Sequence, residues 1–200
     1  MLEIVLASSN PGKMQEIRDL TRDLPVELIS QSELGVNDAE ETGLTFVENA
    51  ILKARHASKI TGLPALADDS GMCVDALMGK PGVFSARYAG PNATDADRIN
   101  KVLNELSQMD DPEMTAAFHC VLALVEHEND PAPLICHGIW EGEITLEPRG
   151  EFGFGYDPIF YVPEHKCTAA ELDPVIKNSI SHRGQAMTEF VSIMAECLAV

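Results

Sequence analysis

Basic residues are scarce in this chain: 14 Lys and Arg stand against 32 Asp and Glu, a formal net charge of −18. Nucleic-acid polymers and anionic membrane surfaces are bound through basic patches, so this balance argues against both as partners. A single nucleotide, held by a few local cations and a metal ion, is still compatible with it. No apolar run approaches the ~18 residues that a transmembrane helix needs. The chain enters a strand-like run at residue 2 without a basic stretch or cleavage site, so no signal peptide is expected. The five cysteines (Cys73, Cys120, Cys136, Cys167 and Cys197) are odd in number and widely spaced, with no C-x-x-C pair. That pattern predicts reduced thiols in a cytoplasmic protein, not a disulfide or zinc framework.

Two motifs are also missing. The Walker pattern G-x-x-x-x-G-K-[ST] is absent, so there is no P-loop. "DDSGM" (68–72) lacks the glycine that a G-x-S-x-G nucleophile elbow carries two positions before its serine. His56, His119, His127, His137 and His165 show no ligand spacing and read as structural or surface residues.

What is present reads as alternating strands and helices. Leu2 to Ala7 is a buried strand, and a helix runs from Gly12 to about Asp23. "VELIS" (26–30) is a second strand, followed by the acidic link "NDAEETG" (37–43). Thr45 to Ile60 keeps apolar residues at three-four spacing, with a Thr45-x-x-Glu48 capping box at its start and Gly62-x-Pro64 after its end. "PALADDSG" (64–71) reads as a brief buried strand that ends in polar residues. Thr94 caps a helix to about Met109. "AAFHCVLALVEHE" (116–128) and "LICHGIWEGEITL" (134–146) form a long antiparallel hairpin, and a last helix spans about His182 to Leu198. The fold class is α/β with a mixed sheet flanked by helices, in a single domain of two lobes over 1–200.

Polar clusters fall at the ends of these elements. In "SSNPGK", residues Ser8, Ser9, Asn10, Pro11, Gly12 and Lys13 lie at a strand-to-helix turn, where unpaired N–H groups and the helix dipole favour an anion. A plain turn capped by Ser9 or Asn10 fits the same residues. Asp68 and Asp69, followed by Ser70, form a carboxylate pair suited to a hard divalent ion, or an Asx-turn closing the strand. Successive strand residues point to opposite faces, so one aspartate would face the site while the other braces the turn. Glu40 and Glu41 offer a further ligand, or are solvated charges. In "FGFGYDP" (152–158), glycines leave room for a flat ring against an aromatic, by analogy with base stacking in single strands; a core β-bulge is the alternative. Lys177, His182 and Arg183 are placed at the start of the last helix, where cations oppose the dipole, which suggests that they meet phosphate or a carbonyl oxygen; salt bridging within a very acidic protein is the alternative.

Taken together, "SSNPGK", "EETGLTFVENAILKA", "ADDSG", "GKPGVFSARYAG", "GEFGFGYDPIF" and "SHRGQA" resemble the signature blocks of the inosine/xanthosine triphosphate pyrophosphatases of the RdgB type. The likeness runs in order from residue 2 to about 186. That family usually has Thr where Ser8 stands and Gly where Ser9 stands. The resemblance implies a two-lobed ITPase-like subunit with the site in the cleft between lobes, usually paired as a homodimer. It implies Mg²⁺-dependent hydrolysis of ITP, dITP or XTP to the monophosphate and pyrophosphate, which keeps such nucleotides out of DNA and RNA. By the same resemblance, Ser8 to Lys13 hold the phosphates, and Asp69 binds the ion or activates water with help from Asp68. Ser70 touches substrate, and Glu40 or Glu41 completes the metal shell. Phe154, Gly155, Tyr156 and Asp157 form the base and ribose pocket, Lys177 contacts the nucleotide, and His182 and Arg183 read the base. Three other readings of the residues remain: a metal-dependent phosphomonoesterase, a nucleotide-binding regulator without turnover, and a pyrophosphatase preferring pyrimidine triphosphates.

Overall fold

The computed structural model describes residues 1–198. Apolar periodicity produces β1 (Leu2–Leu6), α1 (Pro11–Thr21), β2 (Val26–Ser30), α2 (Phe46–Thr61) and β3 (Ala65–Val74). These are followed by a two-residue β4 (Lys80–Pro81), α3 (Asp95–Ser107), β5 (Thr115–Val125) and β6 (Leu134–Ile144). The chain closes with β7 (Phe160–Val162), β8 (Cys167–Thr168), α4 (Pro174–Ile180) and α5 (His182–Cys197). The sheet runs in the order β2-β1-β3-β5-β6-β7-β8, with β4 paired to β3. β1 is parallel to both β2 and β3, whereas β6–β7 and β7–β8 are antiparallel, so the sheet is mixed. β5 and β6 are neighbours joined by residues 126–133, too short a link for a parallel crossover, and they form the long hairpin. No helix among the described residues is long and apolar enough to cross a membrane, and all five cysteines are free thiols.

The chain divides into two units, one made of 1–69, 120–138 and 183 onward, the other of 70–119 and 139–182. In the first unit, strand alternation sends side chains to two buried faces. Ile4 and Leu6 of β1 and Leu66 of β3 pack with Ile17 of α1 and with Met187 and Phe190 of α5. Val5, Ala7, Ala65 and Ala67 face the other way, against Ala54 and Ala57 of α2. Small side chains on both surfaces bring α2 close to β3. In the second unit, Met72, Val102, Leu106, Phe118, Trp140, Ile159 and Phe160 belong to one core.

α2 follows its local signals. Thr45 caps it, Glu48 closes the box, and Gly62 ends it with φ +72°, the left-handed conformation that glycine adopts freely. β3 differs from expectation. It is ten residues long and runs straight through Asp68, Asp69 and Ser70 instead of stopping there. The strand continues because both carboxylates find partners on flanking helices, so neither needs a turn to reach water.

Candidate active site

Residue parity on β3 decides what each aspartate meets. Asp68 shares its face with Leu66, on the side of α1 and α5; Asp69 shares its face with Ala67, on the side of α2. The two adjacent carboxylates therefore organise two different clusters, and neither braces a turn.

On the first face, Lys13 Nζ lies 2.8 Å from Asp68 Oδ2. Arg183 places Nη2 3.5 Å from the same oxygen and Nη1 2.6 Å from Glu16 Oε2. Burial would raise the pKa of Asp68, but Lys13, Arg183 and Lys53 outweigh it and hold the carboxyl well below the usual carboxylate range. Burial likewise opposes the charge on Arg183, yet the carboxylates of Asp68 and Glu16 favour it and its pKa is raised. The turn before α1 is held by Asn10, the N-cap, which accepts from the Lys13 amide at 3.1 Å. Pro11 follows at the first helical position, where its missing N–H is no loss. Ser9, Asn10, Pro11 and Gly12 are exposed and Ser8 is half-buried, so the helix N-terminus is open to a ligand.

On the opposite face, Lys53 Nζ sits 2.8 Å from Asp69 Oδ1 and 2.9 Å from Glu41 Oε1. Asn49 Nδ2 donates to Asp69 Oδ2 at 3.3 Å, and Asn49 Oδ1 accepts from the Gly43 amide at 2.8 Å. A Cβ on Gly43 would come within 2.7 Å of that Asn49 oxygen, so the glycine is what lets the acidic link approach α2. Burial pushes the Asp69 carboxyl up; Lys53 pulls it down, Glu41 adds to the rise, and the net shift is upward. Burial also disfavours the Lys53 ammonium, but Asp69, Asp68 and Glu41 more than compensate and raise its pKa. Glu40 is exposed, so Glu41 is the glutamate that reaches the cation. Ser70, half-buried, follows Asp69 in β3 as the first residue of the second unit.

In the second unit, the loop before β7 is built around Asp157. Its Oδ2 accepts the Phe154 amide at 2.9 Å and pairs with Lys177 Nζ at 2.5 Å, with both side chains buried. Lys177 Nζ also lies 5.3 Å from the Phe154 ring centroid. Gly153 and Gly155 have φ of +76° and +65°, so the segment is a glycine-dependent turn and not a β-bulge in the core. Tyr156 is buried, and its hydroxyl donates to the Ser85 carbonyl at 2.9 Å. Burial pushes that phenol far above its ordinary pKa. His182 stacks on Phe118 with ring centroids 4.8 Å apart and planes 10° from parallel.

Of the three basic residues expected at the start of the last helix, His182 and Arg183 open α5 and Lys177 does not. Lys177 lies in the last turn of α4, a position the helix dipole favours for a cation, and Ser181 ends that helix in an extended conformation. His182 then belongs to the second unit and Arg183 to the first.

A family model described as the Ham1 family matches residues 4–193. The chain belongs to the Ham1 family. It is 65% identical, over all of both chains, to a Coxiella burnetii protein named dITP/XTP pyrophosphatase. It is also 53% identical over 98% of each chain to a Vibrio cholerae protein of the same name. Among solved structures, a HAM1 protein from Coxiella burnetii superposes with a TM-score of 0.95 at 66% identity, covering 98% of this chain and 100% of that one. The Staphylococcus aureus Ham1 protein gives 0.86 at 42% identity, covering 97% and 98%.

In the sequence of this Ham1-family chain, Lys53, Asn49, Glu16 and Asp95 do not stand out as site residues. A signal existed for two of them. Asn49 and Lys53 are four apart on a helix whose start and end were plain, and they border the stripe Ala50, Ala54 and Ala57 that packs on the sheet. A buried-edge amide and ammonium at that spacing call for a partner on the strand they cover. Glu16 and Asp95 carry no local mark, because each acts on a residue far away in the chain.

Proposed function

We propose that this chain hydrolyses non-standard purine nucleoside triphosphates (dITP, ITP and XTP) to the monophosphate and pyrophosphate. The observation that carries the reading is the convergence of Asp69 and Glu41 on one cation, with Lys13 held on Asp68 of the same strand. Full-length likeness to relatives named dITP/XTP pyrophosphatase supports it.

The residues present fit a hard divalent ion. Two carboxylate oxygens already meet at a point where the Lys53 ammonium sits, and two carboxylates around one ammonium leave an excess of negative charge. No group of three or more His, Cys, Asp and Glu side chains able to hold a metal by themselves occurs among the described residues. Mg²⁺ is commonly held by one or two carboxylates, which Asp69 and Glu41 can supply, and completed by water and phosphate oxygens. Bound by Asp69 and Glu41, Mg²⁺ would neutralise phosphate charge and polarise the phosphoryl oxygen.

The chain's own groups do the rest. Ser8 to Lys13 take the phosphates at the N-terminus of α1, and Lys53, released from its carboxylates, adds a second cation for them. Asp69 accepts a proton from the water that attacks the α-phosphorus, and pyrophosphate leaves in line. Ser70 contacts the substrate next to Asp69. Phe154 offers a face to the base, while Gly155, Tyr156 and Asp157 shape the pocket and Lys177 contacts the nucleotide. His182 and Arg183 donate toward the C6 oxygen of hypoxanthine or xanthine. Adenine carries an amine there, and an arginine can only donate, so that pairing is lost with ATP. A homodimer working in the cytoplasm belongs to the same reading, supported by the family resemblance.

A product assay with ITP, XTP, GTP and ATP, with Mg²⁺ and with chelator, tests the whole reading. Pyrophosphate and monophosphate from ITP and XTP, lost with chelator, are expected. Release of inorganic phosphate, binding without turnover, or preference for a pyrimidine triphosphate in a parallel reaction would overturn it.

A further inference from the structure

The loop carrying Phe154 is gripped by two carboxylates, and one of them lies on a distant helix. Asp157 Oδ2 accepts the amide of Phe154, which fixes the peptide entering that residue. Asp95 Oδ2 accepts the amide of Gly155 at 2.7 Å, across 60 residues of sequence, which fixes the peptide leaving it. Peptide units are rigid planes, so holding both of them sets φ and ψ of Phe154 and with them the direction in which its side chain leaves the backbone.

Asp95 opens α3 directly after the Thr94 cap, where the dipole favours an acid whatever else it does. Its further bonds go beyond that. Arg98 pairs with the other carboxylate oxygen, Oδ1, and also donates to the carbonyls of Ala86 and Ala93 at 2.8 Å each. The neighbouring Tyr156 hydroxyl is bonded to Ser85. The start of α3, the segment around Ser85 and the 153–157 loop are thus one hydrogen-bonded body within the second unit. An amide bonded to a carboxylate is held about twice as strongly as by a neutral acceptor.

We propose that Asp95 is a positioning residue for purine recognition. Its carboxylate, oriented by Arg98, holds the Gly155 amide and so presets Phe154 as the surface on which the base lies. The inference rests on the assignment of Phe154 to the base, made above. Asp95 has no bond to Asp68, Asp69, Lys13 or Lys53, so its effect falls on nucleoside affinity and not on the chemical step.

The test compares wild type with Asp95→Ala and Asp95→Glu. The glutamate keeps the first-turn charge but moves its oxygens away from Gly155, and it decides the matter if the alanine variant does not fold. Steady-state kinetics with ITP and Mg²⁺ are combined with calorimetric binding of ITP and of tripolyphosphate without divalent ion. Both variants are expected to raise KM for ITP and weaken ITP binding by about tenfold, with kcat and tripolyphosphate affinity close to wild type. Wild-type KM and ITP affinity in either folded variant would overturn the inference, as would an equal loss of tripolyphosphate affinity. Failure of the underlying functional reading shows separately, as a wild-type protein that does not turn over ITP.

Discussion

The ammonium of Lys53 lies 2.8 Å from the carboxylate of Asp69, one turn of α2 beyond the Asn49 amide that holds the other oxygen of that carboxylate. Under the proposed function, a divalent ion would meet Asp69 and Glu41 where Lys53 sits. Removing one partner of a buried ion pair leaves the other charge uncompensated, at a cost of about 3–5 kcal/mol. Lys53→Met is expected to melt well below wild type in chelator and to recover much of the loss on addition of Mg²⁺, because ion binding to the folded state is linked to stability. Thermal scans with and without Mg²⁺ check this. A variant whose melting temperature ignores the ion would sink the assignment of Asp69 and Glu41 as ligands.

Asp69→Asn keeps the shape of the side chain and removes its basicity. Loss of a positioned general base costs about 10²- to 10⁴-fold in rate, so kcat on ITP is expected to fall by that much with little change in KM. Near-normal turnover would refute the role. The folded pKa of Asp69 is raised, chiefly by burial, so its contribution is present below the ordinary carboxylate range and is lost as pH rises through the folded value. The amide variant also takes from Lys53 its main compensating charge and leaves it Glu41 alone, so at neutral pH it is expected to melt below wild type, by less than Lys53→Met.

Asp68 gives the opposite pH dependence. Its folded pKa is depressed because Lys13, Arg183 and Lys53 overcome the effect of burial. The stability it contributes is fully present above its ordinary pKa of about 4 and is lost as pH falls towards the lower folded value. Wild type should lose melting temperature steeply as pH drops from about 6 to about 3, and Asp68→Asn should flatten that slope while melting lower at neutral pH. An unchanged slope in the variant would show that other carboxylates dominate acid unfolding.

Gly153 tests the base-side loop by a different route. A Cβ there would come 2.1 Å from Asp157 Oδ2 and 3.0 Å from Lys177 Nζ, at a backbone φ of +76° that side chains rarely adopt. Gly153→Ala must displace the Asp157–Lys177 pair, at a cost of about 1–3 kcal/mol. The expected result is a lower melting temperature and a higher KM for ITP, with tripolyphosphate binding unchanged. Wild-type KM would separate this loop from nucleoside recognition.

How much of this was legible in the sequence depended on the range of the forces involved. α2 could be read because its start and end are set within a few residues: Thr45 and Glu48 satisfy the first N–H groups, and Gly62 adopts the left-handed cap. The mixed sheet and its long hairpin followed from apolar periodicity, which is also local. The extent of β3 was missed. Whether a strand continues through Asp68 and Asp69 depends on Lys13, Lys53 and Arg183, which approach only when the chain is folded. Lys177 was misplaced for a related reason: Ser181, flanked by helical residues, turns extended and splits one expected helix start into the end of α4 and the beginning of α5.

Most elements, their polar ends and the family likeness are legible before folding, because helix caps, strand alternation and motif blocks are written in neighbouring residues. The pairings arise on folding alone: Asp68 with Lys13 and Arg183, Asp69 with Lys53, and Asp95 with the amide of Gly155. A charge buried at one point of the chain must be met by a partner from another, and nothing in the order of residues says which partner the fold will bring.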